Sequence, residues 1–331
     1  MTDPLLPAVL RAIQNRVDWP TRAALGKALA DTFAQQHPAD PQAADAAALA
    51  GLRKLGICPA PVGIGASQCS DVVAYFNATR CYAAHVPAYS DGAAKPVSEV
   101  SQAATYGSYT LADSLRAPHI AEFAFHPAVL ALAAAYLGCL PSLYSINTFW
   151  TFPVGRPGLS HEFHRDEDDY RFMVVFIYWT AVEPGEGEFY FIEGTHDPEA
   201  VAQRLREAGR LARQVSWRPF VRIRTSDDLR RLNGGNGYGY DALYGRLFGG
   251  QVRRVDGAAG TAIAADTFAL HRGTPPRSRP RLVTWIRYGL YENDAYRTDG
   301  TRPLPSSVVR GRVADDAVTR YVSRLVVNWN E

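Results

Sequence analysis

The chain of 331 residues is 47% hydrophobic, enough to bury one large core or two ordinary ones. Its 35 basic and 33 acidic residues leave a formal charge of +2, too slight a bias to indicate a nucleic-acid partner. The opening MTDPLLPAVLRAIQNRV has an acid at Asp3 and no continuous apolar stretch, and the longest apolar run, VLALAAAYLGCL (129–140), is too short to cross a bilayer. A soluble, cytoplasmic protein with no membrane partner is expected.

Residues 1–56 are Ala-rich and helical in period. LLPAVLRAI, RAALGKALADTFAQQ and AADAAALAGLRKLG are separated by DWP and HPADP, and Gly56 closes the third. GICPAPVGIG reads as a turn and a short strand. SQCSDVVAYFNAT (67–79) reads as a helix with Ser67 as N-cap. Residues 84–112 have no clear period and read as ordered loop, and 116–138 predict one long helix ending on Gly138. Cys58, Cys69, Cys81 and Cys139 form no CxxC pair and are expected as buried, reduced thiols.

After residue 140 the pattern changes. LYSINTFWTFP, FMVVFIYWTAV, GEFYFIEG, GTAIAAD and RLVTWIRYGLY are short runs rich in β-branched and aromatic residues, split by turns such as PVGRPG, EPGEG and RGTPP. The expected fold is mainly β with flanking helices. It is a double-stranded β-helix, a cupin-like jelly roll, carrying an N-terminal helical layer. We divide one catalytic domain into helical support (1–139), a jelly-roll core (140–296) and a C-terminal extension (297–331).

The interval 197–256 interrupts the strands with a helical piece, PEAVAQRLREAGRLARQ, and a Gly-rich piece, NGGNGYGY (233–240). Within 201–256, twelve arginines face five acids. This is either a solvated helical face or a lid that recruits an anionic substrate. NGGNGYGY lacks the Lys-Ser/Thr ending of a phosphate loop and is expected as a hinge.

The segment SHEFHRDEDDYRFMVVFIYW (160–179) crowds two histidines and five acids ahead of a buried strand. In it His164 and Asp166 form an H-x-D triplet, whose side chains share one face of a strand. Downstream, His271 closes the strand-like run ADTFALH. Two histidines and a carboxylate make a facial triad, the ligand set of non-haem Fe(II) with open positions. Arg281 opens the strand RLVTWIRYG ten residues later, and its guanidinium fork suits a carboxylate held beside the metal. A metal would also explain buried ligands that a core strand could not otherwise carry. Of the aromatics, Trp150, Tyr178 and Trp179 are expected in the core, with only one of the last two facing the pocket.

The order H-x-D, acidic-Gly turn, GTH, distal His and following Arg resembles the phytanoyl-CoA dioxygenase family over about Leu143 to Tyr291. HPAVLALAAAYLG also resembles that family's helix ahead of the barrel. The resemblance implies a double-stranded β-helix enzyme using Fe(II), with 2-oxoglutarate as co-substrate and molecular oxygen as oxidant. It implies His164, Asp166 and His271 as iron ligands and Arg281 as the grip on 2-oxoglutarate. Asn147 falls where the family places an amide near the co-substrate, His161 would line the same pocket, and His196 in IEGTH matches a structural turn. Arg277 and Arg279 stand in the same stretch as Arg281, which is preferred because it heads a strand. Family members that halogenate lack the carboxylate that Asp166 supplies here, so hydroxylation or a related oxidation of a small, anionic metabolite is expected, with release of succinate and CO2. Two other readings stay open: a cupin-like metal-dependent oxygenase or isomerase not using 2-oxoglutarate, and a non-catalytic jelly-roll module binding an anionic ligand.

Overall fold

The structure, a computed structural model, describes residues 6–38, 43–154, 161–211, 247–290 and 303–331. The chain begins with α1 (Leu6–Ile13), α2 (Trp19–Gln36) and α3 (Ala46–Leu55). DWP starts α2 and does not merely precede it: Asp18 is the N-cap, its carboxylate accepting from the Thr21 N–H (2.8 Å), with Pro20 in the first turn where no N–H is needed. Helix α3 ends on Gly56 in the left-handed region (φ 80°), as a glycine C-cap does. Strand β1 (Ile57–Pro59) and helix α4 (Ala66–Ala78) follow. The cap of α4 is Gly65, not Ser67; the Gln68 side chain reaches back to accept from the Gly65 N–H.

Residues 84–112, expected as loop, hold α5 (Val97–Ala103) and β2 (Tyr106–Ser108), and α6 (Leu111–Arg116) begins there. The single helix expected over 116–138 is instead the end of α6, then α7 (Ile120–Ala124) and α8 (Pro127–Leu137). Pro118 and Pro127 cannot continue a helix as donors, and His119 takes a positive φ of 66° between them. The stretch Ile120–Leu137 is apolar enough to pass for a membrane span, but it is broken in two and mostly buried inside the fold.

The barrel strands are β3 (Ser142–Thr151), β4 (Phe172–Tyr178), β5 (Phe189–Ile192), β6 (Val252–Val255), β7 (Ala262–Ala265), β8 (His271–Arg272) and β9 (Arg281–Gly289), with α9 (Pro198–Leu211) between β5 and β6. Short strands β10 (Leu304–Pro305) and β11 (Val327–Asn328) pair around α10 (Ala317–Ser323) at the C-terminal end. The larger sheet has the order β1-β7-β4-β9-β3-β2 and the smaller β6-β5-β8, every pair antiparallel. From β3 onward the chain runs twice from the large sheet to the small and back, β3 and β4 then β5 and β6, β7 then β8, before β9 closes the large sheet, a jelly-roll-like winding of two facing antiparallel sheets. The interval 197–256 therefore includes a core strand, β6. NGGNGYGY lies outside the described residues.

Two faces of the large sheet do different work. Ile146, Trp150, Val175, Ile177, Trp179, Leu282 and Ile286 join the core beneath the helices, together with Leu132, Leu137, Val309 and Val322. Phe149, Val174, Phe176, Tyr178 and Val283 face the small sheet with Phe189, Phe191 and Val255. Tyr178 is thus the inward member of the Tyr178–Trp179 pair, while the Trp179 indole donates to Thr284 on the helical side (2.7 Å). The four cysteines are buried and free, and burial pushes the Cys58 and Cys139 thiols up to about 12.

Only one acid of the 160–169 cluster is held near the two site histidines. Glu167 accepts from the Asn15 side chain (2.8 Å), tying the turn after α1 to the barrel. Asp169 is fully buried, its carboxylate accepting from the peptide N–H groups of Tyr170 (2.6 Å) and Leu290 (2.6 Å). Gly289 permits this approach, because a Cβ there would come within 2.5 Å of Asp169 Oδ2. Asp169→Ala should lower the unfolding free energy by about 2–3 kcal/mol, since two peptide N–H groups lose their acceptor. Urea unfolding within about 0.5 kcal/mol of wild type would contradict this.

Candidate metal centre and the cavity around it

His164 and His271 face each other across a two-residue antiparallel bridge. Each N–H donates to the other's carbonyl at 3.0 Å. The H-x-D triplet is not a full strand, since only His164 pairs in the bridge. Asp166 is held one step beyond by its N–H on the Thr267 carbonyl (2.9 Å). This brings the two imidazoles to a centroid separation of 4.3 Å. His164 Nε2 stands 3.9 Å from Asp166 Oδ1 and His271 Nε2 3.7 Å from Asp166 Oδ2. One ligand atom from each residue lies within 4.8 Å of the others.

The other ring nitrogens decide what this cluster can hold. His164 Nδ1 meets the Glu162 carbonyl (2.7 Å) and His271 Nδ1 meets the Ala269 carbonyl (2.9 Å). A carbonyl only accepts, so the proton sits on Nδ1 and Nε2 is the nitrogen left to coordinate. Burial, with His164 beside it, pushes His271 down to about 4, so its ring is neutral near pH 7. Burial works against ionisation of Asp166, but His271, Arg287 and His164 hold its carboxyl below the usual range. Lone pairs from two imidazoles and an ionised carboxylate thus converge in a buried place. That donor set fits a divalent cation that takes nitrogen and oxygen.

Arg281 is the buried arginine of its stretch, whereas Arg277 and Arg279 are exposed on a loop whose peptide N–H groups bind Glu186. Paired with Thr151 at the end of β3, Arg281 donates to the Thr151 hydroxyl (3.0 Å) and to the Gly187 carbonyl. No carboxylate among the described residues forms an ion pair with it, and its Nε is buried without a hydrogen-bond partner there. His161 is buried with Nε2 3.1 Å from the Tyr106 hydroxyl. Burial and the charge of Arg281 push it down to about 4. Asn147 projects from β3 opposite Trp285, and its amide oxygen accepts from Arg287 (2.6 Å) and from the Ser145 hydroxyl (2.7 Å). His196 lies over Gly56 with Nε2 3.1 Å from the Arg53 carbonyl, a packing role.

Sequence reading missed several neighbours. Trp285 and Arg287 share the inner face of β9 with Arg281, and counting by twos from Arg281 finds both. Arg287 is buried, with Nε 3.4 Å from Asp168 Oδ2, which also accepts from the Tyr144 hydroxyl (2.8 Å). His85 and Tyr106 come from the aperiodic segment, where no pattern marks them. The His85 ring sits 4.7 Å from Phe149, 4.8 Å from Tyr106 and 5.2 Å from Trp285. Burial first, then Arg287 and His164, push it down to about 3.

In the Arg-rich interval, Arg206 pairs with Glu199, Arg253 with Glu193 and Arg254 with Asp256. A separate cleft of about 630 Å³, lined by Trp19, Arg22, Tyr136, Arg171, Asp266 and Phe268 among others, includes none of the three clustered ligand residues.

No protein-family model matches the chain, and no curated protein matches it. Among solved structures it is similar to the non-heme alpha ketoglutarate dependent epimerase SnoN from nogalamycin biosynthesis, at 15% identity and a TM-score of 0.43, covering 73% of this chain and 81% of that one. It is similar also to the carbocyclase SnoK from the same biosynthesis, at 12% identity and a TM-score of 0.43, covering 76% and 86%. A third is EctD from S. alaskensis, solved with 2-oxoglutarate and 5-hydroxyectoine, at 14% identity and a TM-score of 0.42, covering 74% and 75%. The chemistry assigned below rests on this chain's own residues.

The depressed His85 predicts a pH signature. Its folded value lies below the unfolded value of about 6.5, so the unfolded chain binds the extra proton. The stability contributed by neutral His85 is present above about pH 6.5 and is lost as pH falls toward 3. Urea unfolding of metal-free His85→Phe between pH 6.5 and 4.5 should show a slope shallower by up to about 1.4 kcal/mol per pH unit. An unchanged slope would contradict a neutral His85 in the folded protein.

Proposed function

We propose that the protein is an Fe(II)/2-oxoglutarate-dependent oxygenase acting on a small molecule. His164, Asp166 and His271 would hold the iron, and Arg281 would bind the far carboxylate of 2-oxoglutarate. With iron and 2-oxoglutarate bound, the site would supply oxidation of a substrate by molecular oxygen, with release of succinate and carbon dioxide.

The observation that carries this reading is the pairing of the triad with a buried arginine that forms no ion pair among the described residues, in one barrel. A guanidinium out of water with Glu188 acting on it only at a distance and no ion pair among the described residues is costly, and a ligand carboxylate would complete it. A metal-dependent enzyme that uses no such co-substrate has no need of that charge. Thr151 and the Gly187 carbonyl fix the fork of Arg281 before any ligand arrives, so little rotamer freedom is lost on binding. The Glu162 and Ala269 carbonyls orient the two imidazoles, which leaves the carboxylate of Asp166 as the third, anionic ligand. Inward aromatic residues, among them Phe176, Phe189 and Trp285, limit water at the site.

Anaerobic addition of Fe(II) and 2-oxoglutarate to the metal-free protein should give a weak visible charge-transfer band that requires both. Asp166→Ala should lose the band through loss of iron. Arg281→Met should keep iron binding and raise the 2-oxoglutarate Kd about 30- to 100-fold, as expected for two to three kcal/mol of charge-assisted hydrogen bonding. Iron binding without any band, or an Arg281→Met variant with wild-type affinity, would sink the co-substrate assignment.

A further inference from the structure

The cleft beside α2 lies apart from the metal ligands, and the turn between β7 and β8 stands between the two. The carbonyls of Thr267 and Ala269 serve Asp166 and His271, whereas Asp266 and Phe268 line the cleft. Its volume of about 630 Å³ is that of a small-molecule site. Parts of the chain far apart in sequence close around it: Trp19 and Ala23 from the start of α2, Arg53 from α3, Tyr136 from α8, and Tyr170 and Arg171 at the entry to β4.

The acids of the cleft are already engaged. Asp266 accepts from the Tyr136 hydroxyl (2.5 Å) and the Phe268 N–H (3.0 Å). Asp197 accepts from the Glu199 N–H (3.0 Å) in the first turn of α9, and Glu199 pairs with Arg206 (2.8 Å). Arg22 is committed too. It donates to the carbonyls of Gln14 (2.7 Å) and Asp169 (2.6 Å) and lies over the Phe268 ring (4.6 Å).

Two cations keep donors to offer. Arg171 is half-buried in the lining, and among the described residues it makes no hydrogen bond or ion pair. Arg53 is exposed and donates from Nη2 to the Ala135 carbonyl (3.0 Å), which leaves the rest of its fork open. Burial and then Asp266 push the Tyr136 hydroxyl well up, and Arg171 and Arg53 both draw it back, so the two charges bear on one part of the cleft. A guanidinium fork beside aromatic walls suits a planar carboxylate carried on a ring.

We propose that this cleft is a second ligand site and that it takes an aromatic carboxylate. The ring would pack against Trp19, Tyr170 and Phe268, and the carboxylate would meet Arg171 with Arg53 beside it. The proposal stands apart from the oxygenase reading, because it uses neither the triad nor Arg281.

The test follows the fluorescence anisotropy of 2-naphthoate titrated with zinc-loaded protein in excess 2-oxoglutarate. Binding should saturate at one equivalent, and 2-naphthol, which has the same ring and no charge, should bind about tenfold more weakly. Arg171→Gln should weaken 2-naphthoate about tenfold, and Arg171→Lys, which keeps the charge without the fork, should recover part of the loss. Ala23→Phe, which fills the cleft from an exposed position on α2, should weaken it by about tenfold as well. Arg281→Met should bind 2-naphthoate as wild type does. Binding that does not saturate, 2-naphthol affinity equal to that of 2-naphthoate, or wild-type affinity in either Arg171→Gln or Ala23→Phe would overturn the proposal. Loss of 2-naphthoate binding in Arg281→Met would overturn it too, by placing the ligand in the co-substrate position.

Discussion

Two imidazole lone pairs and an ionised carboxylate turned on one buried point repel each other, and the fold around them exists to hold that arrangement. The backbone does most of the holding. His164 and His271 are opposite residues of one bridge, so their rings cannot drift apart without breaking two peptide hydrogen bonds. Asp166 is tied to the turn between β7 and β8 through Thr267. The loop carbonyls of Glu162 and Ala269 set which nitrogen each ring presents. A divalent cation removes the repulsion, and its charge is what makes three buried ligand groups compatible with a hydrophobic barrel.

The charges around that point are sorted by partner. Arg287 is matched by Asp168 and steadied by Asn147, so it supplies a fixed positive field behind Asp166 without being free to bind a ligand. Arg281, at the opposite end of β9, has hydrogen bonds but no ion pair among the described residues. Two arginines six residues apart on one face of one strand thus differ in kind: Arg287 is ion-paired within the protein, and Arg281 is the one proposed to meet a ligand carboxylate. The imidazoles of His85 and His161, both held well below the usual histidine value, add polarity without adding charge. The site that results is polar at its metal and co-substrate positions and aromatic elsewhere.

Much of this was legible because period and punctuation are local. The β-branched and aromatic run RLVTWIRYG marks a strand headed by Arg281, and the glycine stops of α3 and α8 fall where Gly56 and Gly138 stand. The H-x-D triplet of His164 and Asp166, the later His271 and the Arg281 that heads the next strand could be read from residue type and order alone. What was not legible depends on distant partners. The acids of 160–169 look alike in sequence, yet Glu167 serves α1, Asp168 serves Arg287 and Asp169 serves peptide groups of the strand ends. The helix expected over 116–138 failed because two prolines outweighed an apolar period. His85 and Tyr106 reach the inner face of the large sheet from a segment with no period at all, since β2 is recruited to the edge of that sheet by pairing with β3.

The most direct measurement is X-ray absorption at the iron edge of the Fe(II)-loaded protein, compared with the same spectrum of Asp166→Ala. One iron per chain with outer-shell scattering from two imidazoles, and loss of bound iron in the variant, is the result this account predicts. Iron that binds without histidine scattering, or binds equally well to the variant, would contradict it.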